Sequence, residues 1–280
     1  MSCVILDLIR SPNHQFDNLQ PEHPSSQTPL MNESASATVP SLREDVAIPS
    51  RRQISCLPRI GLLLARGTSL ACEEPGGDLH AKAIWEFPYM DRLTSARLLL
   101  RRWTDEDLPA FAHMGASPEV MKYFPALLSR EESDAVATRI RARTEEFGFG
   151  FWALEIPGVT PFAGFVGLSV PGFEAHFTPC VEIGWRLAPA YWGKGYATEA
   201  ASLALDFAFG ERNLQEIVAF TAVQNSPSRR VMERLGMRHD SADDFDHPVL
   251  AQGHPLQRHV LYRITGEEWK QRSRSPVPVA

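Results

Sequence analysis

Residues 190–200, AYWGKGYATEA, combine residue types and spacing that can hold an anion. A strand pattern over residues 181–188 runs into two glycines and then directly into a helical pattern. Gly193 and Gly195 let the backbone turn tightly and bring N–H groups up to a ligand with no Cβ in the way. The helix start adds its own unpaired amides and the positive end of its dipole, and Lys194 adds charge. A phosphate or pyrophosphate fits there. A Walker P-loop needs GxxxxGK[ST], and Lys194 is followed by Gly195, so that pattern fails. A dinucleotide fingerprint needs GxGxxG early in a βαβ unit; GKGYAT lacks the third glycine and lies late in the chain. A third fit is a glycine-bearing turn that grips the pyrophosphate of coenzyme A. A plain strand–helix connection leaves two glycines around a lysine unexplained.

A second segment, QNSPSRRVMERLGM (residues 224–237), follows another strand pattern. Pro227 suits a first helical turn, Asn225 or Ser226 can cap it, and Gly236 suits the position past its end. Val231 and Leu235 turn inward together. Asn225 and Ser228, at the polar head of this helix, stand beside the strand end, where a cofactor arm can be held. Taken alone, the segment is equally an ordinary capped helix.

Around these motifs the composition sets bounds. The chain has 280 residues, 44% of them hydrophobic, which is enough to bury a core in one or two domains. Lys and Arg number 28 against 34 Asp and Glu, a net charge of −6, which argues against a nucleic-acid partner. The most apolar early stretch, residues 54–72, is broken by Pro58, Arg59 and Arg66, so it does not read as a membrane span. Cys3, Cys56, Cys72 and Cys180 form no CxxC pair and read as reduced thiols, Cys180 as a small buried hydrophobe. These features predict a globular, cytoplasmic protein with no membrane or nucleic-acid partner. Oligomeric state leaves no mark in the sequence.

The texture changes near residue 90. Residues 1–90 run through SPNHQ, QPEHPSSQTP and NESASATVPS and are expected to form a disordered, dispensable extension, with one short helix near residues 60–65. Residues 91–270 read as one domain and 271–280 as a polar tail. Within the domain, residues 97–103 predict a strand. Thr104 with Asp107, and Ser129 with Glu132, predict two helix starts. Residues 149–156 and 162–170 predict paired strands, and residues 181–188 the strand before the glycine turn. A helix over 198–209, a strand over 216–223, a helix over 226–235 and a last strand over 259–265 complete the pattern. Arg101, Arg102, Arg139, Arg141 and Arg143 read as solvated. This order predicts a mixed α/β fold whose sheet is partly antiparallel.

The two motifs YWGKGYATEA and NSPSRRVMERLGM together resemble the GNAT superfamily of acetyl-CoA-dependent N-acetyltransferases, in its RimJ/RimL-type branch. The resemblance covers residues 93–270. It implies an α/β fold with a twisted, mostly antiparallel sheet, flanked by helices, whose two central parallel strands splay apart. Acetyl-CoA is then the co-substrate, with pantetheine in the gap against the backbone of Leu187 and Ala188. Its pyrophosphate lies on Gly193, Lys194, Gly195, Tyr196, Ala197 and Thr198, and Asn225 and Ser228 flank the arm. Ala190 stands where the family often has Gln or Arg. Met232 fills the slot where many members carry a tyrosine that protonates the departing thiolate, which leaves Ser228 or water as the acid.

Acyl transfer from a thioester needs a neutral amine, and a lysine amine is almost wholly protonated at neutral pH. Glu182 is the expected general base. It alternates with Val181 and Ile183, and a carboxylate among apolar neighbours should have a raised pKa. The competing role for Glu182 is an ion pair with Arg186 on the same strand face. Asp244, Asp246 and His247 are expected to line the acceptor pocket and attract a cationic amine. No spacing matches a metal site, so none is expected. Two rivals to an acetyltransferase acting on a primary amine, at a protein N-terminus or on a small molecule, follow from the same residues. One is a GNAT-like module that binds acyl-CoA without turnover; the other is a nucleotide-binding protein using the Gly193–Gly195 turn.

Overall fold

A computed structural model describes residues 90–274 of the chain, and the expectations for residues 1–89 lie outside them. Among the described residues nine strands form one sheet, in the order β1 (Arg92–Thr94), β2 (Leu99–Arg101), β3 (Phe151–Ile156), β4 (Thr160–Ser169), β5 (Glu182–Leu187), β6 (Glu216–Ala222), β9 (Arg258–Thr265) and β7 (Arg238–His239). The remaining strand, β8 (Phe245–Asp246), also pairs with β9. Every pairing is antiparallel except β5 with β6. The mixed, mostly antiparallel α/β fold expected from the sequence is the fold observed.

Strand alternation sorts the core into two layers. Phe151 and Ala153 of β3 face one layer, while Trp152, Leu154 and Ile156 face the other. The first layer packs under α1 (Leu108–Gly115) and α2 (Arg130–Phe147) through Phe111, Met114, Val136 and Ile140. The second packs under α3 (Tyr196–Gly210), α4 (Ser226–Arg234) and α5 (Gly266–Arg274). On α3 the buried face is largely alanine: Ala197, Ala200, Ala201, Ala204 and Ala208. Alanine has the best helix propensity and the smallest side chain beyond glycine, so this helix seats close against β5. Central β5 is buried at every position because both its faces are covered.

Local signals account for most boundaries. The Ser129 hydroxyl accepts from the Glu132 N–H at 3.2 Å, and the Glu132 carboxylate accepts from the Ser129 N–H at 2.7 Å, a reciprocal cap that starts α2. Gly148, at φ 68°, ends it. The β3–β4 hairpin turns through Pro157 and Gly158. The strand predicted over residues 97–103 shortens to β2 because Trp103 leaves the sheet. Its indole sinks among Phe111, Phe162 and Phe165 and donates to the Phe151 carbonyl at 2.8 Å. Arg101 is not solvated: it holds both Asp107 oxygens at 2.8 Å and Glu155 at 2.9 Å. Helix α5 carries regular structure into the segment expected as a polar tail.

Candidate active site

The two central strands touch at one point. Glu182 of β5 is in register with Val218 of β6, and the Val218 N–H donates to the Val181 carbonyl at 3.0 Å. No further register pair joins them among the described residues, although β5 continues to Leu187 and β6 to Ala222. The outer edges stay laddered: β4 pairs with β5 from Gly164–Leu187 to Ser169–Glu182, and β6 with β9 from Glu216–Thr265 to Ala222–His259. The sheet therefore opens a V between β5 and β6 with Glu182 at its apex. Beyond this rung neither strand edge is laddered to the other, and the opening suits an extended, amide-bearing arm.

The mouth of the V leads into the glycine turn. A short 3-10 turn, Pro189–Tyr191, follows β5, and Gly193 and Gly195 then take φ values of 73° and 80°. Side chains rarely adopt that conformation, so the turn needs glycine for its backbone shape. Gly195 is the N-cap of α3, and the first N–H groups of that helix have no intrahelical partner. Lys194 is exposed on the turn, its Nζ 5.9 Å from the Tyr191 ring centroid. Unpaired amides at a helix N-terminus and an exposed cation are chemistry that can take a pyrophosphate. Arg97 fastens the turn from β2's approach. Its Nε donates to Glu199 at 2.8 Å, Nη1 donates to the Lys194 carbonyl at 3.4 Å, and the guanidinium lies over Tyr196 at 5.0 Å. The Ser95 hydroxyl donates to the other Glu199 oxygen at 2.6 Å. Sequence reasoning missed this clamp, whose two halves are about a hundred residues apart.

Leu187 and Ala188 border the V, but three of their backbone groups are engaged. The Leu187 carbonyl accepts from the Trp192 indole at 2.7 Å, the Ala188 N–H donates to Ala163 and the Ala188 carbonyl accepts from Tyr191. On the β6 side, Asn225 caps α4 and is fully enclosed. Its Oδ1 accepts from the Ser228 N–H at 3.4 Å, and its Nδ2 donates to the Thr221 hydroxyl at 2.8 Å. Asn225 thus ties the head of α4 to the end of β6. Ser228 is fully buried, yet its hydroxyl has no hydrogen-bond partner among the described residues, and neither has the indole N–H of Trp185. These orphaned polar groups lie on the α3–α4 side of the V and fit a polar ligand arm. Met232 is buried beside them in the apolar layer.

On the opposite face, Glu182 is 3% exposed and Arg186 1%. The expected ion pair between them is not formed: Arg186 Nε and Nη1 are buried without a hydrogen-bond partner, and the guanidinium is enclosed by Phe111, Phe124 and Phe165. Asp244, Asp246 and His247 are not brought together either. Alternation along β8 sends Phe245 and His247 inward, while Asp246 pairs with Arg258 at the surface and Asp244 with His239. His247 lies 4.9 Å from His259, the rings tilted by 54°, in a box completed by Phe173, Phe220 and Phe245. Burial holds the two imidazoles far below their ordinary pKa, at about 3 for His247 and about 4 for His259.

Among the described residues no group of three or more His, Cys, Asp or Glu side chains is placed to hold a metal ion, and no helix is long and apolar enough to cross a membrane. The family described as "Acetyltransferase (GNAT) domain" matches residues 97–238. The Bacillus subtilis protein named "Uncharacterized N-acetyltransferase YnaD" is 29% identical over 178 residues, 63% of this chain and 98% of that one. The Aspergillus fumigatus "FsC-acetyl coenzyme A-N(2)-transacetylase" is 33% identical over 63% of this chain and 77% of its own. A crystal structure of a GNAT-family acetyltransferase from Bacillus anthracis superposes with a TM-score of 0.53 at 28% identity, covering 63% of this chain and 99% of that chain.

Proposed function

Because the chain belongs to the GNAT acetyltransferase family, we propose that it moves the acetyl group of acetyl-CoA to a primary amine, on a small molecule or a protein N-terminus, as a member of the RimJ/RimL-type branch acting in the cytoplasm. The observation that carries this reading is the V between β5 and β6, with the Gly193–Gly195 turn at its mouth and a buried carboxylate at its apex. Coenzyme A supplies the thioester. The Gly193–Thr198 turn holds its pyrophosphate, and the unladdered strand edges hold its pantetheine. The amine nitrogen attacks the thioester carbonyl, the C–N bond forms and the C–S bond breaks. Glu182 takes the proton from the amine, and Ser228 or water protonates the departing thiolate. The Aspergillus fumigatus relative, named an "FsC-acetyl coenzyme A-N(2)-transacetylase", supports acetyl transfer from coenzyme A to a nitrogen.

Met232, buried where a proton-donating tyrosine would stand, favours one second reading: an acyl-CoA-binding module without turnover. The test is a thiol-release assay with acetyl-CoA and a panel of amino acids, polyamines, aminoglycosides and N-terminal peptides. Steady release with one acceptor class and a matching mass gain on that acceptor is the expected result. Tight acetyl-CoA binding with no release for any acceptor turns the reading to the binding module. Tighter binding of ATP or NAD than of CoA removes both.

A further inference from the structure

We propose that Arg186 recognises a carboxylate on the acceptor, so that the substrates of this chain are amines that also carry a carboxylate. This rests on the acetyltransferase reading above and names its acceptor class. Register fixes which face Arg186 occupies. It pairs with Phe165 on β4, and Ile183, Trp185 and Leu187, which alternate with it, all enter the layer under α3 and α4. Arg186 therefore points away from the glycine turn and its helix, and the coenzyme pyrophosphate is not its partner. It shares its face with Glu182, the carboxylate at the apex of the V, four residues back on the same strand.

The surroundings of the guanidinium select its partner. Its Cζ lies 4.1 Å from the Phe124 ring centroid, 5.4 Å from Phe165 and 5.9 Å from Phe111. Aromatic rings at such distances stabilise a guanidinium through cation–π contact but satisfy none of its N–H donors, which are left for polar recognition. Nε and Nη1 have no hydrogen-bond partner among the described residues, and no described carboxylate forms an ion pair with Arg186. A buried, unpaired charge is costly to keep, and a planar fork of N–H donors is matched by a planar carboxylate. A phosphate dianion would leave a surplus charge among these rings, so the monoanion fits better. Burial also pulls the Arg186 pKa down to about 9, in line with a cation that lacks an internal counter-charge. Phe124 belongs to the connection between α1 and α2, and the same layer includes Leu250, three residues beyond His247. Both segments thus belong to the layer on the face of β5 that carries Arg186.

The test uses matched acceptors in the thiol-release assay: amino acids against their methyl esters and carboxamides, with the parent chain, Arg186→Met and Arg186→Lys. The parent is expected to prefer the acids by at least about a hundredfold in kcat/KM, since a site built to bind a group rejects analogues that lack it. Arg186→Met is expected to bring acids and esters within about threefold, chiefly through acceptor KM, with acetyl-CoA KM unchanged, while Arg186→Lys keeps part of the preference. In parallel, calorimetry with CoA present measures binding of N-acetyl amino acids and their carboxamides, which reads Arg186 without turnover. Equal use of acid and ester, equal or absent binding of the two probes, or an undiminished preference in Arg186→Met overturns the proposal. So does a parent preference for succinyl-CoA over acetyl-CoA that vanishes in Arg186→Met, which would place the carboxylate on the acyl chain. Removing an unpaired buried charge should leave Arg186→Met at least as stable as the parent; a large drop in Tm would mark Arg186 as structural and likewise overturn it. Absence of thiol release with every amine overturns the transferase reading instead, and the calorimetric arm still decides the role of Arg186.

Discussion

Glu182 and Val218 form the one register pair between β5 and β6, and the strands part immediately beyond it. A carboxylate at this rung is 3% exposed and stands where the sheet ceases to bond to itself. In the proposed mechanism an arm held in the V ends at Glu182, whichever acceptor meets it. That placement joins the two halves of the proposed mechanism, the coenzyme channel on one side and the amine on the other.

Glu182→Gln keeps the shape of the apex and removes the proton acceptor. CoA affinity should stay within about twofold, while kcat near neutral pH falls on the order of a hundredfold, the usual reach of general base catalysis. Raising the pH supplies neutral amine directly, so part of the rate should return. The measurement is a pH–rate profile of both chains, and profiles of identical shape would move the base elsewhere.

Gly195→Val acts on the other end of the channel. Gly195 sits at φ 80°, which a β-branched residue strongly resists, and it caps the helix whose amides form the cradle. Either the turn shifts or the branched side chain crowds the amides. The expected result is a loss of CoA affinity of about tenfold or more by calorimetry. Unaltered affinity would dissociate the glycine turn from the pyrophosphate.

Much of this site is legible in sequence because its signals are local. The Gly193–Gly195 spacing, the Asn225 cap and the Ser129–Glu132 cap each lie within a few residues, and each forms as expected. What the sequence could not supply is long-range pairing. Glu199 belongs to Arg97, a partner 102 residues away, and the rings around Arg186 come from α1, the α1–α2 connection and β4. Glu182 and Arg186 share a strand face, so a local pair is the natural expectation. The aromatic enclosure of Arg186, set by tertiary packing, overrides it. Asp244, Asp246 and His247 cluster in sequence, but a strand's alternation divides them between surface and core.

The His247–His259 box makes stability sensitive to mild acid. Both rings are fully enclosed and stay neutral down to about pH 3 and about pH 4, whereas unfolded histidine takes a proton near pH 6.5. Below about pH 6.5 the unfolded chain therefore binds more protons than the folded one, and stability falls as pH drops toward the folded values. At up to about 1.4 kcal/mol per pH unit per histidine, the pair should lower stability by about 4 kcal/mol between pH 7 and pH 5. Urea unfolding at pH 7 and pH 5 reads this directly. His247→Phe, an aromatic replacement among Phe173, Phe220 and Phe245, should remove about half of the dependence. A flat profile in the parent would contradict the neutral, buried assignment.

Ser228 separates a catalytic role from a structural one with a single substitution. Its hydroxyl is fully buried and lacks a hydrogen-bond partner among the described residues, so the fold gains nothing evident from it. An unsatisfied buried hydroxyl typically costs about 1–3 kcal/mol, and Ser228→Ala should leave Tm unchanged or raise it. The helix cap is untouched, because Asn225 accepts from the Ser228 backbone N–H rather than from the side chain. If Ser228 protonates the thiolate, kcat should fall about tenfold or more while acetyl-CoA KM stays near the parent value, since the proton is needed only as the C–S bond breaks. Replacing the thiolate by a better leaving group, as in an acetyl thioester of lower thiol pKa, should then narrow the gap between the two chains. A kcat equal to that of the parent with acetyl-CoA would assign the proton to water and leave the hydroxyl as a polar lining of the V.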